Sequence, residues 1–273
     1  MKTLLLWLLI GGSAFAEPQR IVSVGGAVTE TLFALGVGDR VVGVDSSSTF
    51  PASATALPQV GYQRAIAPEG VVSLQPDLLV LAATAGPADV VSQLEGLRIP
   101  TVHLTEGYSL DAAGQRILRI GEAVGRVDES KRLVESMKTE ASRAALPEKA
   151  PRVLFVLSAG GGSPVISGTG TAADAMIRLA GGTNPASDFT GYRSLSPEAL
   201  VALDPEIVLT TKRTLAVSPS ESVGLGKLLP GLDLTAAGRN SRLVVMDDLF
   251  LLGFGPRTGE AIAKLAGQFA GVK

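Results

Sequence analysis

A near-copied phrase occurs twice in this chain: GYQRAIAPEGVVSLQPDLLVL, from Gly61 to Leu81, returns as GYRSLSPEALVALDPEIVL, from Gly191 to Leu209. From Pro68 and Pro197 onward the copies align without a gap, pairing Glu69 with Glu198, Leu74 with Leu203, Pro76 with Pro205 and Asp77 with Glu206. Both copies predict the same local structure. Proline at the first helical position gives up no hydrogen bond, and the acid behind it faces the positive end of the helix dipole. A short helix, a Pro-acid turn and a buried apolar strand should follow. Any α/β chain reuses helix-to-strand units, but the Gly-Tyr pair just upstream of both copies is harder to reproduce by accident. The pattern points to two similar α/β lobes, built as a clamp around a cleft.

The start of the chain carries Lys2, the apolar run Leu4 to Ile10 and small residues up to Ala14-Phe15-Ala16, the layout of a cleavable secretory signal over residues 1–16. Maturation would leave Glu17 first, and Trp7, the only tryptophan, would leave with the signal. The apolar run is too short for a membrane span, and no other segment is long enough. The chain has no cysteine, which excludes disulfides, thiolate metal sites, a cysteine nucleophile and a lipid-modified cysteine. An exported protein without a lipid anchor fits a Gram-negative periplasm. Loss of Lys2 leaves 23 basic against 26 acidic side chains, a formal charge of −3 with His103 neutral. Nothing in that balance suggests nucleic acid or an anionic membrane as partner.

Strands are expected at 21–24, 41–44, 78–82 and 101–104, with helices at about 28–35, after Pro87 and at about 110–124. This alternation makes residues 17–125 an α/β lobe with a parallel sheet. Between Asp128 and about Leu146 the chain becomes charged and free of glycine, and Leu133, Met137 and Ala141 recur at helical spacing. That pattern predicts a long amphipathic helix, within a linking segment 126–148, stopped by Pro147 and Pro151. A second lobe over 149–273 repeats the scheme with strands at 152–157, 207–210 and 243–246 and helices at 171–180 and 258–269. Two lobes joined by one helix should open only slightly.

Catalytic constellations are scarce. Gly160-Gly161-Gly162 and the Gly168/Gly170 pair match neither phosphate-loop nor dinucleotide spacing. His103 stands between Val102 and Leu104 in an apolar strand, which reads as a structural histidine. Tyr62 sits in a loop with Arg64 two residues on, just ahead of a helix start. Its ring either packs, with Arg64 solvated, or serves as a phenolate ligand. A phenol has a pKa near 10, so a phenolate at neutral pH costs about 4 kcal/mol unless cations offset it. Arg64 and a ferric ion would do so, and tyrosinate is a known haem ligand.

Three blocks, Val60 to Ala65 with Pro68 to Val71, Thr171 to Ile177 with Leu179 to Gly182, and Leu252 to Arg257, resemble the periplasmic haem-binding proteins of bacterial haem-uptake ABC transporters. The likeness covers nearly the whole mature chain. The Pro-Glu elements are shared with relatives that carry cobalamin or ferric siderophores. The resemblance implies two Rossmann-like α/β lobes joined by a single long helix, no enzymatic activity, and ferric haem b (hemin) as cargo in the inter-lobe cleft. It implies that Tyr62 is the axial iron ligand, that Arg64 hydrogen-bonds its phenolate and that Arg257 meets haem propionates. Glu69 and Glu198 match lobe-tip acids that dock onto an inner-membrane permease, whose ATPase drives import. An outer-membrane haem receptor would stand upstream.

Some members of that family carry a histidine in the glycine-rich loop of the second lobe. Here Ser158 to Gly162 has none, which puts six-coordination by Tyr and His in doubt. Tyr192, the repeat partner of Tyr62, lacks the Tyr-x-Arg spacing and is expected to line the cleft or pack there rather than bind iron. Two rivals remain at this point. A cobalamin or siderophore carrier would share the fold and the docking acids; a haem-processing or metal-dependent periplasmic enzyme would need clustered ligands that the chain lacks.

Overall fold

The computed structural model describes residues 17–159, 163–216 and 229–270. The expected signal segment 1–16 and the loop glycines Gly160, Gly161 and Gly162 lie outside the described residues. Strand β1 (Ile21–Val24) leads into helix α1 (Gly26–Ala34) and β2 (Val41–Val44), as the apolar runs and Gly36 predict. A hairpin of β3 (Gly61–Tyr62) and β4 (Ala65–Ile66) precedes α2 (Pro68–Ser73), β5 (Leu78–Leu81), α3 (Ala88–Gly96), β6 (Thr101–His103) and α4 (Leu110–Ala123). The sheet order is β2-β1-β5-β6, all parallel.

After α5 (Val127–Ser142) come β7 (Val153–Ser158), β8 (Val165–Ser167), α6 (Ala172–Leu179), β9 (Tyr192–Ser194), α7 (Pro197–Leu203), β10 (Ile207–Thr211) and β11 (Leu243–Met246). Their order is β11-β10-β7-β8-β9. The first three are parallel, whereas β8 and β9 are antiparallel. This second sheet departs from the parallel one expected, because β8 returns directly beside β7 without a crossover helix. The helix Thr258–Phe269 ends the fold.

The repeat is physical as well as textual. Helices α2 and α7 both begin at the copied proline, and both end at a left-handed residue before the second proline: Gln75 at φ 47° and Asp204 at φ 36°. Arg20 donates through Nη2 to the Leu74 carbonyl at 2.7 Å; Arg152 does the same to the Asp204 carbonyl at 2.7 Å. Asp77 accepts from the backbone N–H groups of Gln19 and Arg20, and Glu206 accepts from that of Arg152. Each Pro-acid turn is therefore stapled to the start of the neighbouring central strand.

Helix α5 is where the lobes join. Val134 and Met137 are buried, and they belong to one apolar core that also holds Ala113 and Ile117 of α4 and Ile262, Leu265 and Phe269 of the last helix. Glycine permits the close approach: a Cβ at Gly259 would run into the Met137 carbonyl, and one at Gly121 into Ser130. Burying one continuous core across both lobes stiffens their relation. The helix stops at Ser142, short of Leu146; the Ser142 hydroxyl bonds back to the Thr139 carbonyl at 2.8 Å, competing with the helical ladder. His103 also departs from expectation. Strand β6 is an edge of the sheet, and the His103 ring is half exposed and meets Glu95 at 2.7 Å.

Candidate functional site

The β3–β4 hairpin stands beside the carboxyl ends of the first sheet, where open α/β sheets present their binding crevice. Its shape starts at Gly61, whose φ of 97° excludes most side chains and whose Cβ would meet the Ala65 carbonyl at 2.5 Å. Gln63, at the turn, is held on three sides. Its N–H donates to Asp45 Oδ2 at 3.1 Å, its carbonyl accepts from the Gly86 N–H at 2.9 Å, and Thr84 donates to its Oε1 at 3.3 Å. The neighbours on either side, Tyr62 and Arg64, are left exposed. Among the described residues the Tyr62 hydroxyl has no hydrogen-bond partner and Arg64 has no ion-pair partner.

The second copy does otherwise. One residue fewer separates Tyr192 from Pro197 than separates Tyr62 from Pro68, and the segment lies flat as β9 against β8, Tyr192 opposite Ser167. Arg193 is committed to Asp188 at 2.9 Å and stacks on Phe189 at 4.0 Å. Tyr192 nevertheless feels the charge of Arg64 in the first lobe. Burial pushes its phenol pKa up, and a hydrogen bond with Thr171 and the positive charge of Arg64 oppose that.

Tyr108, which leads into α4, completes the group. Burial first, then the hydrogen bond to Glu106 at 2.8 Å, pushes its pKa up to about 12. It also feels the fields of Tyr192 and Arg64. Arg64 from the first lobe and Tyr192 from the second thus lie within electrostatic reach of each other and of Tyr108. Both of these phenols are held neutral at physiological pH.

Arg257 is not among this group. Its Nε and Nη2 donate to the two oxygens of Glu30 at 2.8 and 2.9 Å, and its plane lies 3.6 Å from the centre of the Phe50 ring. Burial opposes its charge, but the hydrogen bonds and charge of Glu30 outweigh this and raise its pKa. The fork expected to meet a propionate is therefore already occupied by a carboxylate of the same chain. Glu30, in α1, is 4% exposed, so a guanidinium there is required to compensate it. Glu30, Phe50 and Arg257 border a groove of about 430 Å³ beside α5. A second tie between the lobes is Arg116 of α4, which donates to the Thr105 and Gly107 carbonyls and, across the junction, to the Phe254 carbonyl at 3.1 Å. Tyr108 packs on Phe254 with ring centres 5.5 Å apart.

Glu69 and Glu198 are both exposed at the first turns of α2 and α7. Glu198 bonds its own backbone N–H and the capping Ser196, which lowers its pKa. Helix α2 is preceded by Ala67, without a capping side chain. Among the described residues no group of three His, Cys, Asp or Glu side chains is placed to hold a metal. No helix among them is long and apolar enough to cross a membrane.

Sequence reasoning missed Asp45, Glu30, Glu106, Tyr108 and Arg116. Two signals were visible: an acid inside an apolar helix, at Glu30 in VTETLFAL, and another directly after an apolar strand, at Asp45.

Two α/β sheets, one rigid connecting helix and a cleft faced by both lobes define a ligand-binding clamp of the transport type. Residues 21–249 match the periplasmic binding protein family, and the chain belongs to it. It is a substrate-binding protein of the kind that serves ABC transporters. Among solved structures it is similar to the periplasmic haem-binding protein BhuT in complex with two haems, with a TM-score of 0.86 at 37% identity over 92% of this chain and 97% of that one. It is similar to the haem-binding protein RhuT from Roseiflexus sp. RS-1 in apo form, with a TM-score of 0.85 at 39% identity over 92% of this chain and 98% of that one. Sequence relatives include the uncharacterized ABC transporter substrate-binding lipoprotein YvrC of Bacillus subtilis, 29% identical over 92% of this chain and 79% of its own. The vitamin B12-binding protein of Vibrio vulnificus is 27% identical over 100% of this chain and 98% of its own.

Proposed function

We propose that this protein carries ferric haem b in the periplasm, holding it between the lobes and delivering it to an inner-membrane ABC importer. The observation that carries the reading is the pinned hairpin, which presents together a phenol and a guanidinium that have no hydrogen-bond or ion-pair partner among the described residues. Tyr62 supplies the axial oxygen to iron, and Arg64 stabilises that oxygen as phenolate. Tyr108 of the same lobe and Tyr192 of the other, both neutral phenols, lie within reach of the Arg64 charge and line the cleft. Arg257 holds the lobes together and does not contact propionate. Glu69 and Glu198 engage the permease, whose ATPase powers transfer. An exported precursor, with residues 1–16 as its signal, and an outer-membrane haem receptor upstream complete the pathway.

Titration of the apo-protein with hemin, followed by visible absorption, tests the ligand. Tyr62→Phe is expected to weaken binding at least about tenfold and to change the spectrum; a variant with wild-type affinity and spectrum refutes the assignment. The likeness to vitamin B12-binding proteins supports cobalamin as a second reading. Competition of hemin with cyanocobalamin separates the two, since a cobalamin carrier has no use for the Tyr62 phenolate.

A further inference from the structure

Asp45 follows the last residue of β2 and is 1% exposed, yet no cation pairs with it in the described structure. Four donors converge on its carboxyl group instead. Oδ1 accepts from the Gly25 N–H at 2.7 Å and from the Ser48 hydroxyl at 3.1 Å; Oδ2 accepts from the Ser47 N–H at 2.9 Å and from the Gln63 N–H at 3.1 Å. Because Ser48 donates to Asp45, the contacts behind it acquire a direction. Thr29 donates to Ser48 at 2.7 Å and Ser23 to Thr29 at 2.5 Å, a buried file of hydroxyls that leads every donor toward the carboxyl group.

Three of the four donors belong to the scaffold: the turn from β1 into α1 and the loop after β2. The fourth, Gln63, lies between Tyr62 and Arg64. A hairpin of two residues per strand is marginal alone. It is fastened to the sheet by Asp45 at Gln63, by the Ser46 N–H on the Gly61 carbonyl at 2.8 Å and by the Gly86 N–H on the Gln63 carbonyl. Of these, only Asp45 ties the hairpin and the β1–α1 turn to a single side chain.

We propose that Asp45 is the positioning residue of the ligand site: it sets the attitude of the Tyr62–Arg64 hairpin on the sheet and acts on the cargo only through Tyr62. The proposal rests on the reading of Tyr62 as haem ligand. The substitution Asp45→Asn keeps the volume but turns one acceptor into an N–H donor, which must then confront the backbone N–H of either Gly25 and Ser48's hydroxyl or Ser47 and Gln63.

Hemin titrations of wild type, Asp45→Asn, Tyr62→Phe and the double variant test it, with circular dichroism confirming the fold of each. Asp45→Asn is expected to lower hemin affinity about tenfold and to alter the iron–tyrosinate absorption. In the Tyr62→Phe background the same change should alter affinity by less than about twofold. An equal loss in both backgrounds, or an unchanged spectrum in Asp45→Asn, overturns the positioning role while leaving Tyr62 as ligand. A wild type that takes up no hemin overturns the haem reading and this role with it. Amide hydrogen exchange on the unsubstituted protein needs no variant to fold: the Gln63 amide, at the tip of an exposed hairpin, is expected to be protected as strongly as that of Gly25, and rapid exchange at Gln63 alone refutes the strut.

Discussion

The pair Glu30–Arg257 offers the sharpest test of how the lobes are held, because removal of either partner should not cost the same. Arg257→Met deletes two charge-assisted hydrogen bonds and strands Glu30, whose side chain is 5% exposed. Removing one partner of a fully buried pair costs about 3–5 kcal/mol. The Arg257 side chain is 25% exposed, so water screens the pair and reaches part of the gap, which lowers the expectation to about 2–3 kcal/mol. The guanidinium lying on Phe50 adds about 0.5–1 kcal/mol within that figure. Glu30→Gln leaves the charge on the more exposed partner and keeps one acceptor, so about 1–2 kcal/mol is expected. The double variant buries no unpaired charge and should be less damaged than the sum of the singles by at least about 1 kcal/mol. Urea unfolding of the four proteins measures the cycle. Hemin affinity, measured on the same samples, should stay within about threefold of wild type for Arg257→Met. A coupling below about 0.5 kcal/mol, or a large loss of hemin affinity with stability unchanged, refutes the reasoning and returns Arg257 to the propionates.

Gly61→Ala should cost about 1–3 kcal/mol and impair hemin binding, because it adds both a left-handed strain and a collision with the Ala65 carbonyl; Gly191→Ala, with open space around it, should show the strain of about 1 kcal/mol alone. Thermal melts with hemin titration of the two variants separate these effects, and equal damage at both sites contradicts the geometry. Absorbance titration near 295 nm should show one phenol of the folded protein ionising only at about pH 12, absent in Tyr108→Phe. Since that group is protonated in both states below its ordinary pKa, it contributes no pH dependence there. As pH rises from about 10 toward 12 the unfolded chain loses the proton first, so stability falls in that window. Reversing charge at both lobe tips, Glu69→Lys with Glu198→Lys, should leave hemin affinity intact and abolish stimulation of the permease's ATPase in reconstituted vesicles; undiminished stimulation rules out docking through these acids.

Much of the fold is legible in the amino-acid sequence. The strands 41–44 and 243–246 and the helix 258–269 fall where apolar runs and glycine stops predict them, and the Pro-Glu starts of α2 and α7 are in place. The antiparallel arm β8–β9 was not, since strands of three residues carry too little pattern to reveal direction. His103 misled for a related reason: an apolar neighbour on each side describes a strand but not whether the face that His103 occupies is covered. Of the residues proposed for the site, Tyr62, Arg64 and Tyr192 were readable from their place in the repeat. The roles of Asp45 and Arg116 were not, because Gly25, Gln63 and Phe254, which they reach, lie in other elements, and the local pair Glu106 and Tyr108 carries no pattern that marks a cleft.

Chain chemistry alone determined the duplication, the connecting helix, the absence of thiol chemistry and the uniqueness of Tyr-x-Arg in the first copy. Those properties are local: proline, glycine and apolar spacing act within a few residues of themselves. Tertiary structure decided which arginine is free. Arg64 and Arg257 look alike in a string of letters, yet Arg257 is claimed by Glu30, distant in sequence and adjacent in space, while Arg64 is held out on a hairpin where no acid among the described residues pairs with it. An ion pair is a matter of distance and burial, and neither is set until both lobes have packed against the same helix.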